Sequence, residues 1–92
     1  MKMLFTIEDV FESPRGLVIG GTNSNFDTLT EKEIKEEIGE KVRIQNSDGS
    51  EVEGVILDVE TSSSLIEKKN IFLLFSLDLK KLIHSGSKVF SL

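Results

Sequence analysis

The sequence predicts an all-β fold, a small closed antiparallel β-barrel of about six strands with one short helical insertion. Short apolar runs alternate along the 92-residue chain with turn-forming residues, which is typical of antiparallel strands joined by hairpins. Only residues 31–38 show helical periodicity. Because an open sheet of this size would leave exposed edge strands, we expect the sheet to close on itself in a single domain that spans residues 1–92.

The central strand is predicted at residues 70–75, Asn-Ile-Phe-Leu-Leu-Phe. This run is too short for a helix and contains β-branched and aromatic residues. It is bounded by Lys68 and Lys69 on one side and by Ser76 on the other. Apolar side chains at successive positions predict burial on both faces of the strand.

The first half of the chain predicts a hairpin. Residues 3–12 form an apolar-rich strand with an irregularity near residues 8–9. Pro14 and Gly16 supply the turn, because proline fixes φ at the second turn position and glycine accepts a positive φ. Residues 17–19 return as the second strand, and the two glycines that follow suit a β-bulge or a close approach of another backbone.

A short helix is predicted from Glu31 to Ile38. Thr30 and Glu33 have the spacing of a capping box, in which each side chain bonds the backbone amide of the other residue. The glycine at position 39 ends the helix. Its two isoleucines, four positions apart, predict one narrow apolar stripe against the sheet, with the glutamates in water.

Residues 39–45 and 51–60 predict a second hairpin, joined by the turn-forming segment 46–50. A β-bulge is expected at Gly54. The apolar residues predicted on the inner face of the later strand are Val55, Leu57 and Val59.

The remaining segments complete the predicted sheet. Residues 61–64 are expected to open a loop, since threonine and serine favour turns. A single helical turn is predicted over residues 78–84, ended by Gly86. Residues 88–92 form the last strand.

Composition limits the function classes. The net charge is −5, from 16 acidic and 11 basic residues. This argues against tight, sequence-independent binding of nucleic acid, which depends on Lys and Arg. The chain has no cysteine, which excludes disulfides and thiolate sites. No segment is apolar enough for a signal peptide or a membrane span, so we expect a cytoplasmic protein that does not contact a membrane.

The sequence contains no constellation typical of an enzyme. His84 is the only histidine, so a metal site would have only carboxylates for its other ligands. The serines at 62–64 have no neighbouring base. We therefore expect a non-enzymatic protein with no catalytic residue, no metal ion and no cofactor.

Four segments resemble, in the same order, domain 2 of elongation factor Tu, the β-barrel shared by translational GTPases. Residues 5–11 look like its opening strand with the string Ile-Glu-Asp-Val-Phe, and residues 15–20 look like its Arg-Gly-x-Val-x-x-Gly hairpin. Residues 39–44 are similar to its Gly-Glu-x-Val-x-Ile string. Residues 70–86 keep the spacing from its Asn strand to a later Ile-x-x-Gly. The resemblance implies a free-standing domain with that barrel fold.

The resemblance also implies a site. Glu60 and Asn70 fall at two positions of the pocket that receives the aminoacyl end of tRNA in this family. The sequence contains no phosphate-binding loop, so we expect neither nucleotide binding nor GTP hydrolysis.

Our first hypothesis is a module that recognises a protein partner through the rim of the barrel, residues 22–38 and 61–69. The resemblance implies a partner in the translation apparatus or a protein that attacks it, in which case the chain would be an immunity or antitoxin-like decoy. The acidic helix suits a basic partner, although such a charge run is also typical of a solvated face. Phe26, in a polar segment, is either an exposed anchor or docks onto the barrel. The predicted contact residues are Phe26, Glu33, Glu36 and Glu37.

Our second hypothesis is weak binding of RNA at a vestige of the tRNA acceptor-end pocket. It predicts an affinity that falls with salt, because Lys and Arg would contact phosphates. The residues that would bind RNA are Arg15, Glu60, Lys68, Lys69 and Asn70.

Overall fold

The computed structural model describes residues 1–63 and 68–92. These ranges contain eight strands, the helix α1 (Glu31–Ile38) and two single-turn 3₁₀ segments, Ser24–Phe26 and Leu77–Leu79. No helix within them is long and apolar enough to cross a membrane. The prediction of a mostly-β chain with one α-helix is confirmed. The strands are β1 (Met3–Thr6), β2 (Asp9–Ser13), β3 (Gly16–Thr22), β4 (Lys41–Gln45), β5 (Glu51–Val55), β6 (Asp58–Ser63), β7 (Lys69–Phe75) and β8 (Lys88–Ser91).

The strands pair as two antiparallel four-stranded sheets. The first sheet has the order β1-β8-β4-β5, and the second sheet has the order β2-β3-β7-β6. The described ranges thus contain eight strands where about six were predicted. The difference arises because two of the predicted strands bend and contribute to both sheets.

The first bend divides predicted strand 3–12 into β1 and β2. The amide of Ile7 donates to the carbonyl of Ser87, just before β8 of the first sheet (2.7 Å). The next amide, of Glu8, donates to the carbonyl of Gly20 in β3 of the second sheet (2.8 Å). The chain therefore exchanges its hydrogen-bond partners at the irregularity that the sequence predicted.

The second bend divides predicted strand 51–60 into β5 and β6. The amide of Ile56 donates to the carbonyl of Glu40, and the amide of Leu57 donates to the carbonyl of Leu74 in β7 (2.8 Å each). The bend also changes which side chains face inward. Val59 is buried as predicted, but Val55 and Leu57 are 55% and 56% exposed, so their predicted place in the core is wrong.

Strand β7 lies between β3 and β6 in the second sheet, which confirms the predicted central strand. Its inward side chains, Ile71, Leu73 and Phe75, are fully buried in one hydrophobic cluster that draws on both sheets and α1. Its outer face is less covered. Leu74 is buried, but Phe72 is only half-buried, so the prediction of burial on both faces is wrong for Phe72.

Helix α1 has the predicted bounds and the predicted capping box. Ile34 and Ile38 are its buried residues. The helix runs along β6, the terminal strand of the second sheet, and the carboxylate of Glu31 accepts a hydrogen bond from the amide of Thr61 (3.1 Å). Because an uncovered edge strand presents unpaired amides and carbonyls, α1 protects this edge of the sheet.

Three smaller predictions are wrong. Residues 61–63 do not open a loop but continue β6, because they pair with residues 69–71 of β7; Ser64 lies outside the described residues. Strand β5 keeps an unbroken register with β4 through Gly54, so no bulge occurs there. The helical turn is Leu77–Leu79 and not residues 78–84.

A buried polar cluster joins the β4–β5 hairpin to the segment before β8. The side-chain amide of Asn46 donates to the carbonyl of Leu82 (2.7 Å) and to Oγ of Ser50 (3.0 Å). Oγ of Ser87 donates to Oδ1 of Asn46. Asn46 is only 4% exposed, so these bonds replace the water that its amide would otherwise bind.

The first and last strands are neighbours. β1 and β8 pair antiparallel, with Met3 opposite Phe90. Beyond this pair, the amide of Ser91 donates to the carbonyl of Lys2 (2.8 Å). The two ends of the chain therefore lie side by side.

Candidate functional site

The candidate site is a groove on the outer face of the second sheet. It has a volume of about 350 Å³. The strand register explains how four strands build it: Phe11 of β2 lies opposite Val18 of β3, and Glu60 of β6 lies opposite Phe72 of β7. Because side chains alternate across a strand, these residues share the face that points away from the core. The groove is lined chiefly by Phe11, Arg15, Val18, Asp58, Glu60 and Phe72.

The floor of the groove is apolar. Phe11 is 47% exposed, and Val18 and Phe72 are half-buried. An ideal Cβ on Gly20 would lie 2.9 Å from two ring carbons of Phe72, so the ring occupies the space above a residue that has no side chain. The predicted close approach of another backbone occurs at the next residue, Gly21, where an ideal Cβ would lie 2.6 Å from the carbonyl oxygen of Thr6. At Gly20 the close neighbour is instead a side chain, and the effect is to place an aromatic ring in the groove.

Charged side chains form one end of the groove. Nη2 of Arg15 lies 3.1 Å from Oδ2 of Asp58, and Nη1 lies 3.6 Å from Oε1 of Glu60. Two carboxylates thus share one guanidinium, which leaves this end with a net negative charge. The hydrogen bond from Arg15, aided by the bond from the Val59 amide, holds the pKa of Asp58 below its ordinary value.

Arg15 reaches these carboxylates from the β2–β3 turn. Its backbone amide donates to Oγ of Ser13, and that hydroxyl donates to the carbonyl of Gly16 (3.2 Å each). These bonds order the turn backbone, whereas the Arg15 side chain is 61% exposed. Exposed ion pairs of this kind contribute little to stability. The guanidinium can therefore leave the carboxylates at small cost.

The structure separates Phe26 from the other predicted rim residues, whereas Glu33, Glu36 and Glu37 line one surface of α1 together with Leu29. Phe26 is 1% exposed and belongs to the hydrophobic cluster, so the exposed-anchor interpretation is wrong and the docked alternative is confirmed. The carboxylate of Glu33 accepts a hydrogen bond from the Thr30 amide (3.0 Å) as part of the helix cap. Glu37 pairs with Lys2 (3.2 Å), and Glu36 is exposed on the same helix.

The residues of the RNA hypothesis are also divided. Arg15 and Glu60 meet in the groove, and Asn70 shares its sheet face, two positions before Phe72 on β7. Lys69 lies on the opposite face, where its ammonium donates to the carbonyl of Leu29 (2.6 Å).

The same lysine also fixes the base of the β6–β7 hairpin. The backbone amide of Lys69 donates to Oδ1 of Asp27 (3.0 Å). Lys68 is exposed immediately before β7. Residues 64–67 of the predicted rim loop lie outside the described residues.

The charged residues form no metal-binding cluster in the part of the chain that the structure describes: no three His, Cys, Asp or Glu residues there are placed to hold an ion. His84 is exposed. The lining of the groove offers apolar contact next to a carboxylate-rich end.

The search for known relatives gave a negative result: no family model, no curated protein and no solved structure matches the chain. The likeness to domain 2 of elongation factor Tu stays a prediction based on the four sequence segments.

Sequence reasoning missed the groove, although a signal was present. Apolar residues occur on both faces of residues 70–75, and Phe11 and Val18 follow the same pattern in the first hairpin. A chain of 92 residues cannot bury both faces of every strand. Two-faced apolar strands in so small a domain therefore indicate an exposed apolar surface.

Proposed function

We propose that this chain is a non-catalytic binding module that recognises a protein partner through the groove on the second sheet. The observation that carries the proposal is the apolar floor, in which exposed Phe11 adjoins the half-buried Val18 and Phe72. Aromatic side chains grouped on a surface and bordered by charges are typical of protein interfaces.

We further propose that the two sheets form one closed six-stranded barrel, with β1–β2 and β5–β6 each counted as one bent strand. The strand orders support this, since the first part of each bent strand is an edge strand of the first sheet and its second part is an edge strand of the second sheet. The hydrogen bonds at Ile7, Glu8, Ile56 and Leu57 support it as well. Such a barrel is the fold implied by the resemblance to domain 2 of elongation factor Tu. The resemblance favours a partner linked to translation or a toxin that the chain would neutralise.

The acidic helix extends the proposed surface. Glu36 and Glu40 border a second depression of about 440 Å³ that also contains Leu57 and Asp58. Asp58 lines the groove too, so the two depressions meet at β6. A basic partner would contact both, because carboxylates border each of them.

Recognition of RNA is the second candidate. It is favoured by one observation: Arg15, Glu60 and Asn70 share the sheet face on which the Phe72 ring is partly exposed. Aromatic rings on a sheet can stack with bases. The adjacent carboxylates of Asp58 and Glu60 would repel phosphates, which makes a protein the better-supported partner.

Capture from native lysate tests the proposal. The wild-type chain is compared with Phe11→Ser, which removes part of the groove floor, and with Leu82→Ser, a matched control because Phe11 and Leu82 are 47% and 49% exposed. Each lysate is divided into nuclease-treated and untreated halves, and the retained proteins are identified by mass spectrometry.

We expect proteins that are retained in both halves by the wild type and by Leu82→Ser but lost with Phe11→Ser. Loss of retention after nuclease treatment would favour RNA instead. Equal retention by all three variants would contradict the use of the groove.

A further inference from the structure

We propose that the groove takes a partner segment in which a large apolar side chain is followed by arginine or lysine. The apolar side chain would lie on Phe11, Val18 and Phe72, and the cation would bind the carboxylates of Asp58 and Glu60. This inference rests on the proposed function, since it specifies the chemistry of a protein partner in the same groove.

The charge balance of the groove carries the argument. Asp58 and Glu60 present two carboxylates to the single guanidinium of Arg15, at 3.1 and 3.6 Å. A carboxylate can accept several hydrogen bonds, so both groups have acceptor capacity left. A second cation would complete the pairing, whereas an anion would meet a like charge. The chain as a whole carries −5 and would attract a basic partner.

The position of Arg15 supports the same conclusion. Its side chain is 61% exposed and extends from a turn to β6. The Arg15 guanidinium therefore lies beside Asp58 and Glu60, where the cation of the partner would bind in its stead or next to it. Because an exposed pair is weak, Arg15 competes with an incoming cation without blocking it.

The outer face of the first sheet offers a matched control. Arg43 also pairs with two carboxylates, Glu51 at 3.5 Å and Glu53 at 3.3 Å. Neither Arg43 nor its two partners line the groove. The same substitution at Arg15 and at Arg43 thus changes the overall charge equally, but only the first changes the groove.

The test uses capped dipeptides as probes and the amide NMR spectrum of the full chain as the readout. The first probe is N-acetyl-phenylalanyl-arginine amide, whose arginine side chain supplies the cation. In the other two probes glutamine or glutamate replaces the arginine. We expect the arginine probe to shift amides of β2, β3, β6 and β7 and to bind at least about threefold more tightly than the glutamine probe. The glutamate probe should bind most weakly. Added salt should reduce only the preference for the cation.

Substitution of the competing arginine sharpens the test. In Arg15→Gln the affinity for the arginine probe should rise about three- to tenfold, because both carboxylates become available. Arg43→Gln should leave that affinity unchanged. A matching rise in both variants would overturn the inference, because it would show a response to overall charge alone.

Two further outcomes would overturn the inference, and they affect the proposed function differently. Equal binding of the three probes in the groove would remove the preference for a cation but leave protein recognition by the groove intact. If no probe shifts groove amides, the inference fails and the lysate comparison tests the proposed function separately. The proposed function is supported when a protein retained by the wild type is lost with Phe11→Ser. It fails when Phe11→Ser retains that protein.

Discussion

Gly54 of β5 lies directly against the aromatic ring of Phe75 of β7. An ideal Cβ on Gly54 would be 2.7 Å from Cε1 of that ring, closer than real side chains approach. The two residues belong to different sheets, so this contact is where the sheets come together in the core. The absence of one side chain thus allows a fully buried phenylalanine in the other sheet.

Gly54→Ala should therefore lower the free energy of unfolding by about 1 to 3 kcal/mol, because the added methyl group displaces the Phe75 ring. Urea denaturation of the wild type, Gly54→Ala, Phe75→Leu and the double variant measures the coupling. We expect Gly54→Ala to cost less in the Phe75→Leu background. Additive effects would show that the methyl group acts elsewhere.

Asn46→Ala should lower the free energy of unfolding by about 2 to 3 kcal/mol, because it leaves the buried Ser87 hydroxyl and the Leu82 carbonyl without their partner. The matched control is Asn25→Ala, since Asn25 is exposed in the 3₁₀ segment Ser24–Phe26. We expect that control to change stability by less than about 0.5 kcal/mol. Similar losses in the two variants would contradict a special role for the buried amide.

Phe26→Ala should lower the free energy of unfolding by about 3 to 5 kcal/mol, because it opens a cavity in the core. Phe11→Ala should cost about 1 kcal/mol or less, because Phe11 is half exposed. The two variants remove the same atoms, so the difference between their stabilities in thermal unfolding reports how deeply each phenylalanine is buried. If Phe26→Ala proved as stable as Phe11→Ala, Phe26 would not be docked in the core.

The cap of α1 should make stability depend on acidic pH. Hydrogen bonds from the backbone and the side chain of Thr30 hold the pKa of Glu33 below its ordinary value of 4.5. The folded state therefore favours the carboxylate. This contribution is complete above the ordinary pKa and is lost as the pH falls through the lowered value.

Glu33→Gln should flatten the decline in stability below pH 4.5, the ordinary value for this group. Thr30→Ala removes the other half of the cap and should cost about 1 kcal/mol at neutral pH. Urea denaturation across acidic pH provides the comparison. Identical pH profiles for Glu33→Gln and the wild type would exclude a role for Glu33 in acid stability.

Local features of the chain were predictable because their causes are local. The capping box fixed the start of α1, and glycine fixed its end. The alternation of Val42 and Ile44 placed β4, and the apolar run placed β7.

The sequence indicated an irregularity near residues 8–9, but the division of a strand between two sheets was not predictable, because it depends on partners distant in sequence. The bonds from Ile7 to Ser87 and from Leu57 to Leu74 determine where each strand leaves one sheet for the other. The sequence left open whether Phe26 is exposed or docked for the same reason. Polar neighbours in sequence do not indicate which distant side chains enclose the ring. In the candidate site, Glu60 was named from the resemblance and Arg15 as a cation that could contact RNA, but the groove between them requires the register of four strands.

The pairing of the first strand with the last has a mechanical consequence. In an antiparallel pair the hydrogen bonds run across the strands. Tension applied to the two ends of this chain would therefore break the bonds between β1 and β8 one after another, beginning with the bond nearest the chain ends. If the unit is tethered at both ends, β1 would separate from β8 before the strands of the sheet that carries the groove separate from one another.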